Sequence, residues 1–159
     1  MGKIDFIIIG NKNAITTKYV FPLLKDMVLK TGYTVPRYYI QPEWCETKSL
    51  NGLTRWFTTL PVTDKDPLSL TARYSPEKYP KYDNYDAIEV GSLKDIPFDY
   101  SGVMGVPITI LDKNLNNIVV EGILYGEYTE IDGEYIKGHR PTLNGEQKYS
   151  RVLIKLKKK

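Results

Sequence analysis

Cysteine and histidine are almost missing from this chain. Cys45 is the single cysteine and His139 the single histidine among 159 residues. A lone cysteine excludes an intrachain disulfide. One residue of each kind also argues against a protein-only zinc site and against a thiolate nucleophile with an imidazole base. Long apolar runs are missing too. No stretch approaches the ~20 apolar residues of a membrane span. Ile4 to Ile9 is too short for a secretory apolar region and carries Asp5. The chain therefore reads as soluble and cytoplasmic, with no membrane partner. Charge of one sign is modest: the net +3 permits nucleic-acid binding without arguing for it. No glycine-rich loop follows a first strand with an acidic residue about 20 positions on, the arrangement that cradles a dinucleotide. Gly10-Asn11-Lys12-Asn13 is turn chemistry, and Gly102 and Gly105 precede Pro107 in the wrong context for a phosphate loop. No internal repeat or low-complexity segment is present.

Apolar residues and rings are plentiful. Hydrophobic residues make up 42% of the chain, enough for a real core, and 13 tyrosines and two tryptophans supply flat rings that fill cores or stack on bases. Ile4-Asp5-Phe6-Ile7-Ile8-Ile9 is β-branched and reads as a buried strand. Ala14 to Lys30 places Tyr19, Val20, Leu23, Leu24, Met27 and Val28 on a helical face, kinked or restarted at Pro22. Gly32 to Asn51 loses periodicity and reads as a long irregular excursion that includes Trp44 and Cys45. Leu53 to Leu60 and Leu68 to Tyr74 have strand composition. Ser75 to Asn84 reads as an extended surface segment rich in proline and tyrosine. Ala87 to Val90 is a short strand, and Lys94 to Tyr100 a loop. Val106 to Leu111 is strand-like, although Pro107 could equally open a helix. Ile118 to Tyr125 and Glu127 to Ile136 read as hairpin strands around Gly126, with a turn at Asp132-Gly133. Lys148 to Leu156 alternates as a last strand before the basic tail Lys157-Lys158-Lys159.

Lys78, Tyr79, Lys81, Tyr82, Asn84 and Tyr85 interleave cations, rings and an amide. Lysine contacts phosphates, asparagine bonds adenine's edge and tyrosine stacks, so the segment suits DNA. The competing reading is a tyrosine-rich loop clamped onto the domain's own surface. His139-Arg140 in a loop reaches a groove or is an ordinary solvated pair. Arg55 beside Trp56 stacks on a base or forms a strand's outer face. Asp83, Asp86, Asp95 and Asp99 are spread over turns and read as structural.

Two stretches carry a resemblance. Tyr79-Pro80-Lys81-Tyr82-Asp83-Asn84-Tyr85-Asp86-Ala87-Ile88, with Lys94-Asp95-Ile96-Pro97 and Gly102-Val103-Met104-Gly105-Val106-Pro107-Ile108-Thr109, resembles the C-terminal half of the EcoRI-type adenine-specific DNA methyltransferases. Phe6-Ile7-Ile8-Ile9-Gly10-Asn11-Lys12-Asn13-Ala14-Ile15-Thr16 resembles the segment that follows their catalytic motif. Arg55-Trp56-Phe57-Thr58-Thr59-Leu60 is similar to a family segment ending Thr-Asn-Leu, with Thr59 at the asparagine; Thr17 and Tyr19 stand where the family has Tyr and Glu. Lys148 to Lys155 resembles the last family strand. The polar-Pro-Pro-aromatic loop that holds a flipped adenine is not in this chain.

The resemblance implies an α/β (α+β mixed) chain in two parts. Residues 1–60 would be a remnant of a Rossmann-like methyltransferase sheet. Residues 61–159 would be a strand-rich and loop-rich target-recognition region, packed as one unit with the first. It implies a restriction-modification enzyme that methylates adenine N6 in double-stranded DNA from S-adenosylmethionine. This chain would contribute target recognition through Arg55, Trp56, Lys78, Lys81, Tyr82, Asn84, Tyr85, His139 and Arg140. No catalytic, cofactor-binding or metal residue is expected in it. Alone it would be inactive, bind no S-adenosylmethionine, need an N-terminal half, and self-associate through an exposed sheet edge. The alternative is a stand-alone DNA-binding or interaction module without catalysis.

Overall fold

The computed structural model describes residues 4–157 except 33, 42, 44, 45, 51, 64, 66, 127, 132, 133 and 139. Trp44, Cys45, the Asp132-Gly133 turn and His139 therefore lie outside the described residues. The chain is mixed α and β, mostly strand, in two units, Met1–Asp66 and Pro67–Lys159. No helix among the described residues is long and apolar enough to cross a membrane.

The first unit is a three-stranded sheet. Strand β1 (Ile7–Asn11) and strand β2 (Lys30–Thr31) flank β5 (Thr54–Thr58), both antiparallel to it. Gly10 lies opposite Arg55, and a Cβ there would sit 2.8 Å from the Phe57 ring, so the close approach of that ring requires glycine. Ile15, Phe21, Leu24, Leu29 and Phe57 are buried.

Two expectations fail in this unit. The long helix is instead a 3-10 turn over Lys12–Thr16 and one α-helical turn, α1 (Phe21–Lys25). Thr16 and Thr17 turn their hydroxyls onto the carbonyls of Asn13 and Ala14, an alternative to helix propagation. Pro22 then fits only the first turn of a new helix, and Met27 at φ 59° stops it. The apolar strand is also not buried: Ile7, Ile8 and Ile9 are each more than half exposed. They alternate faces, so both faces of β1 are partly open, and among the described residues β1 pairs with β5 alone. The irregular excursion after Gly32 contains a hairpin, β3 (Tyr38–Gln41) with β4 (Glu46–Ser49).

The second unit is a six-stranded sheet. Its strands are β6 (Ile88–Glu89), β7 (Met104–Pro107), β8 (Ile118–Leu124), β9 (Tyr128–Ile131), β10 (Glu134–Lys137) and β13 (Arg151–Leu156), in the order β10-β9-β8-β13-β7-β6. Among the described strands β6 and β7 alone pair in parallel. The last strand of the sequence is thus central. Val152, Leu153 and Ile154 are all fully buried, as a strand covered on both faces demands. Pro107 ends β7 and caps a 3-10 helix, Ile108–Asp112, so both readings of that segment hold in succession. Leu68 to Tyr74 is not a strand and makes a single bridge, Ala72 to Pro97. A small hairpin, β11 (Thr142–Leu143) with β12 (Glu146–Gln147), stands apart from the large sheet. Its tip, Asn144-Gly145, has φ of 52° and 79°, the two left-handed positions of a type I′ turn.

Candidate nucleic-acid interface

The tyrosine-rich segment, expected as an extended surface segment, lies only partly at the surface. Tyr79 and Tyr82 are buried. Tyr79 donates its hydroxyl to the Asp95 carbonyl at 2.8 Å and its ring stacks on Tyr74. The Tyr82 ring packs with Ala87, Leu124 and Leu153, and its hydroxyl donates to the Glu89 carboxylate. Glu89 in turn receives Arg151, whose Nη2 lies 2.6 Å and whose Nε lies 3.1 Å from Glu89 Oε1. Both charged side chains are only 12% exposed. Burial first, then the Glu89 carboxylate, pushes the Tyr82 phenol well above the ordinary tyrosine range. Gly105 accommodates this ring: a Cβ there would meet Tyr82 Cε2 at 2.7 Å. Tyr82 is thus an internal anchor that locks the segment onto β6 and β13.

The anchored segment presents its next residues to the β11–β12 hairpin. Asn84 Nδ2 donates to the Arg140 carbonyl and Asn84 Oδ1 accepts from the Thr142 amide, both at 3.0 Å. The Asp83 carboxylate accepts from the amides of Asn144 at 3.2 Å and Gly145 at 2.8 Å. The Asp83 amide also donates to the Thr142 carbonyl at 2.8 Å. Two consecutive side chains therefore fix both ends of the hairpin, and both polar atoms of Asn84 are engaged in doing so. Beside them a cleft of about 340 Å³ is lined by Asn84, Tyr85, Leu124, Thr129, Ile131, Lys137, Thr142 and Gln147. It joins a ring, two amides, two hydroxyls and a cation over an apolar floor. Arg140 is exposed at the start of the hairpin and lies across Gly126, where a Cβ would approach its Nε to 3.1 Å.

The lysines stand elsewhere on this unit. Lys78 bridges to Asp95 and Lys81 to Asp86, each at 3.0 Å. Their hydrogen bonds to those carboxylates raise both lysine pKa values. Such exposed pairs are worth little and open readily to a stronger anion. In the first unit Arg55 is buried and donates to the Thr54 carbonyl at 2.8 Å. Trp56 is half-buried opposite Ile9 and lines an apolar cleft of about 460 Å³ with Ile7, Thr34, Leu60, Pro61 and Val62.

The structure thus brings Asn84, Tyr85 and Arg140 together around one cleft and hairpin. It keeps Arg55 and Trp56 on a different unit and turns Tyr82 inward. Sequence reasoning missed the hairpin and Gln147; it read Asp83 as a structural turn residue, and its carboxylate does hold the turn at Asn144-Gly145. The Asn144-Gly145 dipeptide was the available signal.

Gly10, Gly102 and Gly105 make room for the rings of Phe57, Tyr100 and Tyr82. No group of three or more metal-ligating side chains occurs among the described residues.

Comparison with known proteins agrees with the resemblance read from the sequence. The family model described as adenine-specific methyltransferase EcoRI matches residues 2–157. The type II methyltransferase M.EcoRI of Escherichia coli is 39% identical over 96% of this chain and 50% of its own length. The type II methyltransferases M.MpnI of Mycoplasma pneumoniae and M.MgeORF184P of Mycoplasma genitalium are 30% and 29% identical, each over 95% of this chain and 56% of the relative. The chain spans about half the length of the curated relatives it matches. No solved structure matches it. With a family model covering nearly every residue, this chain belongs to the EcoRI family of adenine-specific methyltransferases.

Proposed function

We propose that this chain is the C-terminal, DNA-reading portion of an adenine-N6-specific methyltransferase of a restriction-modification system, acting in the cytoplasm. The observation that carries the proposal is a family match along almost the whole chain that covers only half of its relatives. The polypeptide that completes it supplies the S-adenosylmethionine pocket and the loop that holds the flipped adenine. S-adenosylmethionine donates the methyl group in that completed enzyme; this chain contributes no step to the transfer itself.

The first unit is the seam. Among the described residues β1 has no strand on its outer edge, and its isoleucines are each more than half exposed. A strand of that composition belongs inside a sheet covered on both sides. β1 and β5 then form an antiparallel margin of a Rossmann-like sheet whose other strands lie in the missing half, since largely parallel sheets often carry an antiparallel edge. Without that half the edge pairs with itself, and the chain self-associates. Trp56 and Arg55 lie next to this seam. The second unit reads double-stranded DNA with Tyr85 at the cleft and Arg140 at the start of the hairpin, and Lys78, Lys81 and His139 contact the backbone. Asn84 and Tyr82 act through the positions of their neighbours.

The test is reconstitution. The N-terminal half of the Escherichia coli relative is fused ahead of this chain, and tritiated methyl transfer to duplex DNA is measured. The proposal expects transfer by the fusion and none by this chain alone. Transfer by this chain alone, or its binding of S-adenosylmethionine at micromolar concentration by calorimetry, would overturn the division of labour.

A further inference from the structure

We infer that the β11–β12 hairpin is the base-reading element, with Arg140 and Gln147 as its specificity-determining side chains and Asp83 and Asn84 as the residues that position it. This rests on the proposed DNA reading and names the part of the chain that carries it.

Base edges are told apart by planar side chains with two hydrogen-bonding atoms: a guanidinium for guanine and a carboxamide for adenine. Such groups discriminate only when their platform is rigid, because a loose donor finds a partner on any base. The second unit offers few planar groups in that condition. The Arg151 guanidinium is held on Glu89 inside the fold. Asn84 has both polar atoms on the backbone of Arg140 and Thr142. The Asn114 carboxamide caps the Asn116 amide in its own turn. Arg140 and Gln147 are different. Both are exposed, and they stand at the entering and leaving ends of one hairpin. No carboxylate among the described residues pairs with Arg140.

The platform is rigid for identifiable reasons. Thr142 faces Gln147 and Leu143 faces Glu146 in the ladder. The Lys148 amide donates to the Pro141 carbonyl at 2.7 Å and closes the base of the hairpin. The turn is the two-residue left-handed kind that Asn-Gly favours. Asp83 then holds the tip and Asn84 the root, and Tyr82 beside them is anchored on Glu89. Five restraints on so short a hairpin exceed what an ordinary surface loop needs. They match what a reading head needs, and Lys137 flanks it with charge for phosphates, while Lys148 pairs with Glu146 at 3.1 Å.

The test uses this chain and a pool of 30-base-pair duplexes with a randomised centre, selected by binding and sequenced. The wild-type chain is expected to bind the pool with salt-sensitive affinity and to enrich a motif. Arg140→Lys keeps the charge and loses the fork, and Gln147→Leu loses the amide. Each should flatten its own one or two positions in the motif, lowering discrimination there by roughly five- to 150-fold. Asn84→Ala should broaden every position read by the hairpin at once. Asn84→Asp, which still accepts from Thr142, should recover part of the motif, a graded effect that general destabilisation does not produce. A motif unchanged in Arg140→Lys and Gln147→Leu, or salt-sensitive binding with no motif, overturns the hairpin assignment and leaves DNA binding standing. No binding to the pool at low salt overturns both.

Discussion

Replacing Glu89 with Gln should destabilise the second unit severely. The carboxylate receives two nitrogens of Arg151 and the Tyr82 hydroxyl at a site where both ionic side chains are 12% exposed. An amide keeps the shape and one acceptor oxygen but removes the charge and the second acceptor, leaving the guanidinium with neutral acceptors only: that oxygen and the Tyr149 and Ser150 carbonyls, at 3.5 and 3.3 Å. Breaking one side of a buried ion pair costs about 3–5 kcal/mol. The remaining exposure favours the lower end, about 3 kcal/mol. For a unit of this size that lowers the melting temperature by roughly 12 °C or more. Tyr82→Phe removes one hydrogen bond to a charged acceptor and should cost about 1.5–3 kcal/mol. Glu89→Leu combined with Arg151→Met removes both charges and should recover much of the loss. Urea denaturation followed by far-ultraviolet circular dichroism measures all three. A loss below about 1 kcal/mol for Glu89→Gln would refute the claim that this cluster anchors the tyrosine-rich segment.

Alkaline pH gives a second check. The Tyr82 phenol titrates above the ordinary tyrosine pKa of about 10 in the fold and near it when unfolded. Its contribution is therefore complete below pH ~10 and is lost as pH rises through the folded value, at about 1.4 kcal/mol per pH unit. Tyr82→Phe should lack that component in urea midpoints taken from pH 9 to 11, while the same-signed contributions of Tyr100, Lys78 and Lys81 persist. At the seam, Ile8→Lys places a charge on an exposed face of the β1 edge, and light scattering at tens of micromolar should report a monomer where the wild type self-associates. A wild-type monomer under those conditions would count against the open edge. Lys78→Ala with Lys81→Ala should weaken DNA binding evenly across sequences and reduce the salt slope by about two. Unchanged binding would remove both lysines from the interface.

The strands were legible where composition alone decides them. Thr54–Thr58, Ile118–Leu124 and Arg151–Leu156 are β-branched or apolar runs bounded by polar turns, and each is a strand. The helix after Ala14 was not, because periodicity ignores what Thr16, Thr17 and Pro22 do to the backbone. The burial of Ile7 to Ile9 was misread for a different reason. An apolar run states what a strand would bury, not whether a partner stands ready to cover it. At the site, residue types suited to DNA were visible in Tyr79 to Tyr85, yet side chains of one type divide by direction. Tyr82 turns inward, Asn84 grips a backbone 56 residues away, and Tyr85 lines the cleft. Those partners are distant in sequence, so no local pattern assigns them.

Fluorescence anisotropy of this chain with an adenine-containing duplex at two salt concentrations tests the central claim most directly. Binding that weakens steeply as salt rises is the predicted result, because phosphate contacts release counterions. No binding at low salt would contradict the assignment of this chain as the DNA-reading half.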